Sequence, residues 1–207
     1  MPAINDNKQS FEYYRIMRGK LARKVEEGTE GAKKREYTTP AGVEGVTFEI
    51  IKDAWVGKIY GVKIKDTDYG QVCEVRFGDA IINIPTSGGY FQSFATSLKN
   101  LDLSKEVIFR PYDFESEGKR RVGVSLKQDG KKVENAYVIK QEDGTFKNLH
   151  GYPMVDEKKK NKPGYWKIYF AEVAMFLCDE IDKMTFPREM ERIEAIDNEI
   201  DVNSIPF

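Results

Sequence analysis

The chain has 207 residues, 40% of them hydrophobic and 32% charged, with 33 Lys and Arg against 34 Asp and Glu for a formal net charge of -1. A chain of this length buries about 70% of the surface its unfolded form exposes, so its core needs no metal or disulfide staple. No apolar run approaches the ~20 residues that cross a bilayer and the first ten residues lack a secretory pattern, so a cytosolic protein without membrane contact is expected. Two distant cysteines, Cys73 and Cys178, and one histidine, His150, exclude zinc sites built from Cys and His pairs and any disulfide framework.

The near-zero net charge hides an uneven distribution. Residues 1–170 carry 30 basic and 24 acidic groups, whereas residues 171–207 carry 3 basic and 10 acidic groups. A basic body with an acidic end suggests a polyanion-binding surface and a segment that competes for it or recruits a basic partner; a solvated acidic helix gives the same count.

Residues 11–25 place Tyr14, Met17, Leu21 and Val25 at helical spacing, yet Gly19 and the β-branched and aromatic content favour a hairpin turning at Arg18-Gly19. Residues 26–45, rich in Gly, Thr, Lys and Glu and containing Pro40, read as a connecting loop. After a short apolar stretch at 46–51, residues 55–65 read as one strand, with Val56, Tyr60, Val62 and Ile64 facing inward and Trp55, Ile59, Lys63 and Lys65 outward. The turn at 66–70 leads to a strand at 71–77 in which Cys73, Val75 and Phe77 alternate with Glu74 and Arg76. Gly78-Asp79 then leads to a strand at 80–85, completing a three-stranded meander.

The period then changes. Phe91, Phe94, Ala95, Leu98 and Leu101 predict a short amphipathic helix over 90–101. Strands follow at 106–113 and 121–128 around a charged turn containing Gly118, with Val122, Val124 and Leu126 inward, and 132–140 reads as one further strand. Three strands, a helix and two strands are the succession of an OB-fold, a five-stranded Greek-key barrel whose helix lies between strands 3 and 4. The expected class is therefore α+β, mainly β, with an N-terminal hairpin and a C-terminal helix over 165–183 whose Trp166, Tyr169, Phe170, Val173, Phe176, Leu177 and Ile181 form an apolar face. One domain is expected over 1–183 and an acidic tail over 184–207.

The chain ends in Glu199-Ile200-Asp201-Val202-Asn203-Ser204-Ile205-Pro206-Phe207. This stretch resembles the C-terminal tip of bacterial single-stranded-DNA-binding proteins, in which acidic residues precede Ile-Pro-Phe. It lacks their long Gly- and Gln-rich linker and has Asn203-Ser204 where aspartates are typical. The layout of the body is more similar to the single-stranded-DNA-binding proteins of bacteriophages, which join a diverged OB-fold to an acidic tail. The resemblance implies non-specific binding and protection of single-stranded DNA in replication, recombination and repair, without catalysis or a cofactor. It also implies recruitment of a polymerase, helicase, primase or nuclease through Asp201, Ile205, Pro206 and Phe207.

Holding a strand requires basic groups for phosphates and aromatic faces for bases. On the outward faces inferred above lie Trp55, Lys63, Lys65, Arg76, Arg110, Tyr112, Arg121 and Lys127, with Lys119 and Arg120 in the adjoining turn and Tyr13, Arg15, Arg18, Lys20 and Arg23 in the N-terminal stretch. The lysines at 158–162 are a further, weaker candidate. The charge split then gives the tail a use, occupying the basic surface until DNA displaces it. A metal-dependent phage nuclease would need converging carboxylates, and Asp66, Asp68, Glu74 and Asp79 sit mostly in turns that explain them locally. A phage structural or assembly protein would account for the β-rich body but not for the tip. No P-loop, GxSxG elbow or HExxH motif occurs.

Overall fold

The computed structural model describes residues 11–39 and 41–187. The N-terminal hairpin forms as expected: β1 (Glu12–Met17) and β2 (Lys20–Val25) pair around Arg18 and Gly19, whose φ angles of 49° and 74° make the primed two-residue turn that matches strand twist. Gly19 is required twice over. A Cβ there would also lie 2.5 Å from the Asp113 backbone nitrogen, so the hairpin tip packs directly on a distant strand. The Gly19 N–H donates to the Tyr90 hydroxyl at 2.9 Å, tying the same tip to a helix.

The expected loop at 26–45 is corrected in part. Within it β3 (Lys33–Thr38) pairs antiparallel with β4 (Glu44–Lys52), which also pairs with β2. The sequence KKREYT lacks apolar alternation because β3 is an edge strand with little core to cover, so backbone hydrogen bonds supply its pairing.

Residues 55–65 are not one strand. The chain forms β5 (Trp55–Gly57), leaves it through Lys58, Ile59 and Tyr60, and re-enters the other sheet as β6 (Gly61–Thr67). The crossing resets the alternation. Val62 faces the core as expected, but upstream Ile59 is buried and Val56 is 60% exposed, the reverse of the expected faces. The meander continues through β7 (Gly70–Phe77) and β8 (Ala80–Pro85), with Cys73, Val75, Phe77, Ile82 and Ile84 buried as the period of two requires. Helix α1 (Gly89–Leu98) buries Phe91, Phe94, Ala95 and Leu98. Then β9 (Val107–Ser116) and β10 (Lys119–Gln128) form a hairpin turning on Glu117 and Gly118, both at positive φ.

The expected strand at 132–140 is split between two sheets. The short β11 (Lys131–Lys132) pairs with β10, and β12 (Val138–Lys140) pairs with β13 (Phe146–Asn148). Between them the Asn135 side chain accepts hydrogen bonds from the Tyr137 and Val138 N–H groups and turns the chain. Helix α2 (Tyr165–Asp182) buries Tyr169, Val173, Leu177, Cys178 and Ile181 against α1 and β6, and packing continues to the buried Phe186.

The architecture is mainly β with two helices. A seven-stranded mixed sheet runs β3-β4-β2-β1-β8-β7-β6, in which β1 and β8 are parallel, and a four-stranded sheet runs β11-β10-β9-β5. The class is α+β as expected, but the closed five-stranded barrel does not form among the described residues. The order of meander, helix and hairpin is present, yet β8 takes β1 as its neighbour and β9 takes β5, so each sheet stays open. The sheets instead face one another through side chains. Tyr14 stands 5.1 Å from Trp55, Trp55 6.4 Å from Phe77, Phe77 6.0 Å from Phe109, and Phe109 5.7 Å from Phe94 of α1.

Replacing Gly19 by Ala is expected to destabilise the fold by about 2 kcal/mol or more, since φ and space both exclude a side chain. The urea midpoint reads this directly, and an unchanged midpoint would contradict the docking of the hairpin tip on β9.

Candidate nucleic-acid interface

Residues directly opposite in an antiparallel pair share a face of the sheet. In the β9–β10 hairpin the pairs Ile108 with Lys127, Arg110 with Ser125, Tyr112 with Gly123, Phe114 with Arg121 and Ser116 with Lys119 therefore share the outer face. Lys132 joins them by pairing with Lys127. The opposite face carries Val107, Phe109, Val124 and Leu126 into the core, so the outer set is held on a rigid backing.

Along this face Tyr112 and Phe114 stand with ring centroids 5.6 Å apart and planes at 45°. Phe114 is 53% exposed. Gly123 makes room for Tyr112: a Cβ there would sit 2.4 Å from the tyrosine hydroxyl, so the ring lies across bare backbone. Helix α1 closes one side, its Ser93 hydroxyl accepting the free-edge N–H of Val124 at 2.5 Å. The result is an open groove of about 500 Å³ between α1 and the hairpin, lined by Ser93, Ser97, Tyr112, Phe114, Arg121 and Ser125, with Lys132 and Glu134 at its end. Among the described residues Arg110, Lys119, Arg121, Lys127 and Lys132 form no ion pair, so their charge is available to a ligand.

The other expected binding residues lie elsewhere. Trp55 is opposite the buried Phe109 and belongs to the ring contacts between the sheets, with the Lys52 ammonium 4.2 Å from its ring. Its expected outward position is corrected by the break at Gly57. Arg120 has the opposite parity to Arg121 and grips Asp113 with two hydrogen bonds of 2.8 and 2.6 Å. This fork holds the Asp113 carboxyl below the usual carboxylate range.

Tyr13, Arg15, Lys63, Lys65 and Arg76 share the outer face of the seven-stranded sheet. Because the two sheets meet through their inner faces, this surface points away from the groove. Several of its charges are engaged, although the exposed Lys63 forms no ion pair among the described residues. Lys65 pairs with Glu74 at 2.7 Å, and the Arg76 guanidinium lies 4.2 Å from the Phe11 ring. Arg15 and Arg35 converge on Glu49, whose side chain is only 2% exposed, at 2.6 and 2.9 Å. Their hydrogen bonds, Arg35 foremost, hold the Glu49 carboxyl below its ordinary range. In the hairpin Lys20 pairs with Asp53 and Arg23 with Glu12, while Arg18 occupies the turn.

Phe114 and Lys132 are members of the groove face that sequence reasoning missed. The strand was expected to end at 113, but the alternation Arg110, Tyr112, Phe114 carries on to the turn at Glu117-Gly118, a signal the charged residues obscured. The expected partner-binding residues Asp201, Ile205, Pro206 and Phe207 lie outside the described residues. Of the carboxylates weighed for a nuclease, Glu74 is paired with Lys65 and Asp66 and Asp68 are exposed around the β6–β7 turn. Among the described residues no three His, Cys, Asp or Glu side chains group as metal ligands would. Burial pushes up both cysteine thiols, that of Cys178 to about 11, so neither is ionised near neutrality. No helix among the described residues is long and apolar enough to cross a membrane. Comparisons with protein-family models, curated proteins and solved structures return no match.

Glu49 supplies a pH test of the arginine cluster. Its depressed folded-state pKa means that its contribution is present above the unfolded carboxylate range and is lost as pH falls through the folded value. Glu49→Gln should cost about 2 kcal/mol at pH 7, and the gap to the unaltered protein should close on acidification. Denaturant melts across this range measure both, and a gap that does not depend on pH would contradict the cluster.

Proposed function

We propose that this chain binds single-stranded DNA without sequence specificity, with bases on Tyr112 and Phe114 and phosphates on Arg110, Lys119, Arg121, Lys127 and Lys132. The observation that carries the reading is the pair of rings set side by side in an open groove among cations that have no carboxylate partner. A base stacks on an aromatic face whatever its identity, each stack contributing ~1 to 3 kcal/mol, and phosphate contacts carry no sequence information. A single strand fits this arrangement better than a duplex, whose bases are already stacked on one another and offer only their edges in the grooves.

In the same reading the protein protects exposed strands during replication, recombination and repair in a phage-infected cell. Its acidic end, with Asp201, Ile205, Pro206 and Phe207, recruits the enzymes that act there. The diverged OB-like order of meander, helix and hairpin supports the family resemblance without the closed barrel. The acidic tail over 184–207 competes for the groove in the absence of DNA.

Fluorescently labelled poly(dT), duplex DNA and RNA, titrated over a range of salt, test the function. Single-stranded DNA should bind in preference to duplex. For four or five phosphate contacts the slope of log affinity against log salt should be about -3. Tyr112→Ala and Phe114→Ala should each weaken binding by about 1 to 3 kcal/mol. Absence of binding would refute the proposal, magnesium-dependent loss of the label would point to a nuclease, and tighter binding of RNA would reassign the ligand.

A further inference from the structure

The first two turns of helix α2 are covered on one side only, by Tyr165 and Tyr169 packing on the core. Phe170 and Trp166 lie about one and two turns before the buried Val173 on the same side of the helix, yet they are 49% and 45% exposed. Their rings are 5.8 Å apart and inclined at only 31°, close to parallel, and Tyr165 and Tyr169 brace them from the adjoining positions. Phe170, with Val173 and Ala174, forms one wall of a cleft of about 210 Å³ whose other wall is the link Thr86–Gly89 and the start of α1.

The surroundings of this ring pair are basic. The loop before α2 is closed onto the helix start by the Asp156 N–H donating to the Tyr165 hydroxyl at 2.6 Å, which brings residues 158–162 to the same end. Asp156 and Glu157 are neutralised by Lys159 and Lys160. Lys158, Lys162 and Lys167 form no ion pair among the described residues, so the loop and first turn present free positive charge beside exposed rings.

The cleft adjoins the Tyr112–Phe114 groove along α1, one turn nearer the start of the helix. Ser93, Thr96 and Ser97 line the groove, whereas Gly88, Gly89 and Gln92 line the cleft. The edge of the cleft nearest the groove is formed by the two glycines at the start of α1. Gly89 rests on the Val122 carbonyl beside Arg121, and nothing lies within 4 Å of where a Gly88 side chain would project. Gly88 and Gly89 therefore set no side chain of their own between groove and cleft.

We propose that the cleft and the Trp166–Phe170 pair form a second platform for the same nucleic-acid strand. The strand leaves the groove past Arg121, crosses the bare Gly88-Gly89 edge and places further bases on Phe170 and Trp166, with its phosphates toward Lys162 and Lys167. This rests on the single-strand-binding reading above. The aromatic faces supply sequence-independent stacking, the unpaired lysines supply charge complementarity, and continuity across that edge distinguishes the occupant from a detached apolar segment.

Affinity for oligo(dT) of graded length, measured by fluorescence anisotropy on the full chain, tests the proposal. The unaltered protein should gain affinity in two stages as the oligomer first fills the groove and then reaches α2. The double substitution Trp166→Ala and Phe170→Ala should lose about tenfold on long strands, with the loss shrinking as the strand shortens. Gly88→Glu is a second variant that leaves the rings in place. Its extended backbone at φ -124° and ψ 167° accepts any residue, and it should weaken long strands selectively by setting a carboxylate on that edge. Length profiles unchanged in both variants would overturn the second platform. So would a change in sedimentation mass of the ring variant with oligo(dT) binding intact, which would make the face a contact between copies. An unaltered protein that binds no strand of any length would refute the underlying function instead.

Discussion

The two sheets are held face to face by a run of rings, Tyr14, Trp55, Phe77, Phe109 and Phe94, each within 6.4 Å of the next. Four of the five are almost wholly buried, and together they connect the N-terminal hairpin, both sheets and α1. Buried aromatic pairs contribute about 0.5 to 1.5 kcal/mol each beyond the area they remove from water, so a chain of four contacts is a large fraction of a typical domain's net stability. The consequence for function is geometric. Once the inner faces meet, the outer faces must point apart, and a single strand lying on one does not lie flat on the other.

That division separates residues that look alike in sequence. On the seven-stranded sheet most of the named cations are engaged, Arg15 and Arg35 with Glu49, Lys65 with Glu74, and Arg76 over Phe11, while Lys63 forms no ion pair among the described residues. On the β9–β10 face the cations stand beside Tyr112 and Phe114 and form no ion pair among the described residues, although Glu134 lines the end of the groove. The first arrangement ties Arg15, Arg35 and Lys65 to carboxylates of the sheet itself, with Lys63 left without an ion pair; the second sets all of its cations beside the two rings with no ion pair among the described residues. The overall charge of -1 says nothing about either, because balance over a whole chain is compatible with strong local imbalance.

Much of this was legible in the sequence where local chemistry decides the outcome. The turns at Arg18-Gly19 and Glu117-Gly118 require glycine at positive φ, and the hairpins around them follow. The alternation of Cys73, Val75 and Phe77 and the helical spacing of Phe91, Phe94 and Leu98 likewise specify buried faces. What could not be read depends on partners distant in sequence. Trp55 faces inward because Gly57 to Tyr60 carries the chain from one sheet to the other, a step without a distinctive local pattern. The edge strand β3 owes its existence to β4, and barrel closure fails because β1 pairs with β8 and β5 with β9, choices among distant strands. Of the candidate site, Arg110, Tyr112, Arg121 and Lys127 were accessible from alternation and Lys119 as part of the charged turn. Phe114 was hidden by a misplaced strand end, and Trp166 and Phe170 by the assumption that an apolar helical face is covered along its whole length.

The central claim is that one of the two opposed outer faces holds a single strand. Titrating the isotopically labelled full chain with oligo(dT) and following backbone amide shifts by NMR tests it most directly. The account predicts that the shifts concentrate on residues 110–114 and 121–125 and on the neighbouring turns of α1, while Tyr13, Lys63 and Lys65 stay still. Shifts that map instead to the outer face of the seven-stranded sheet, with the groove silent, would contradict it.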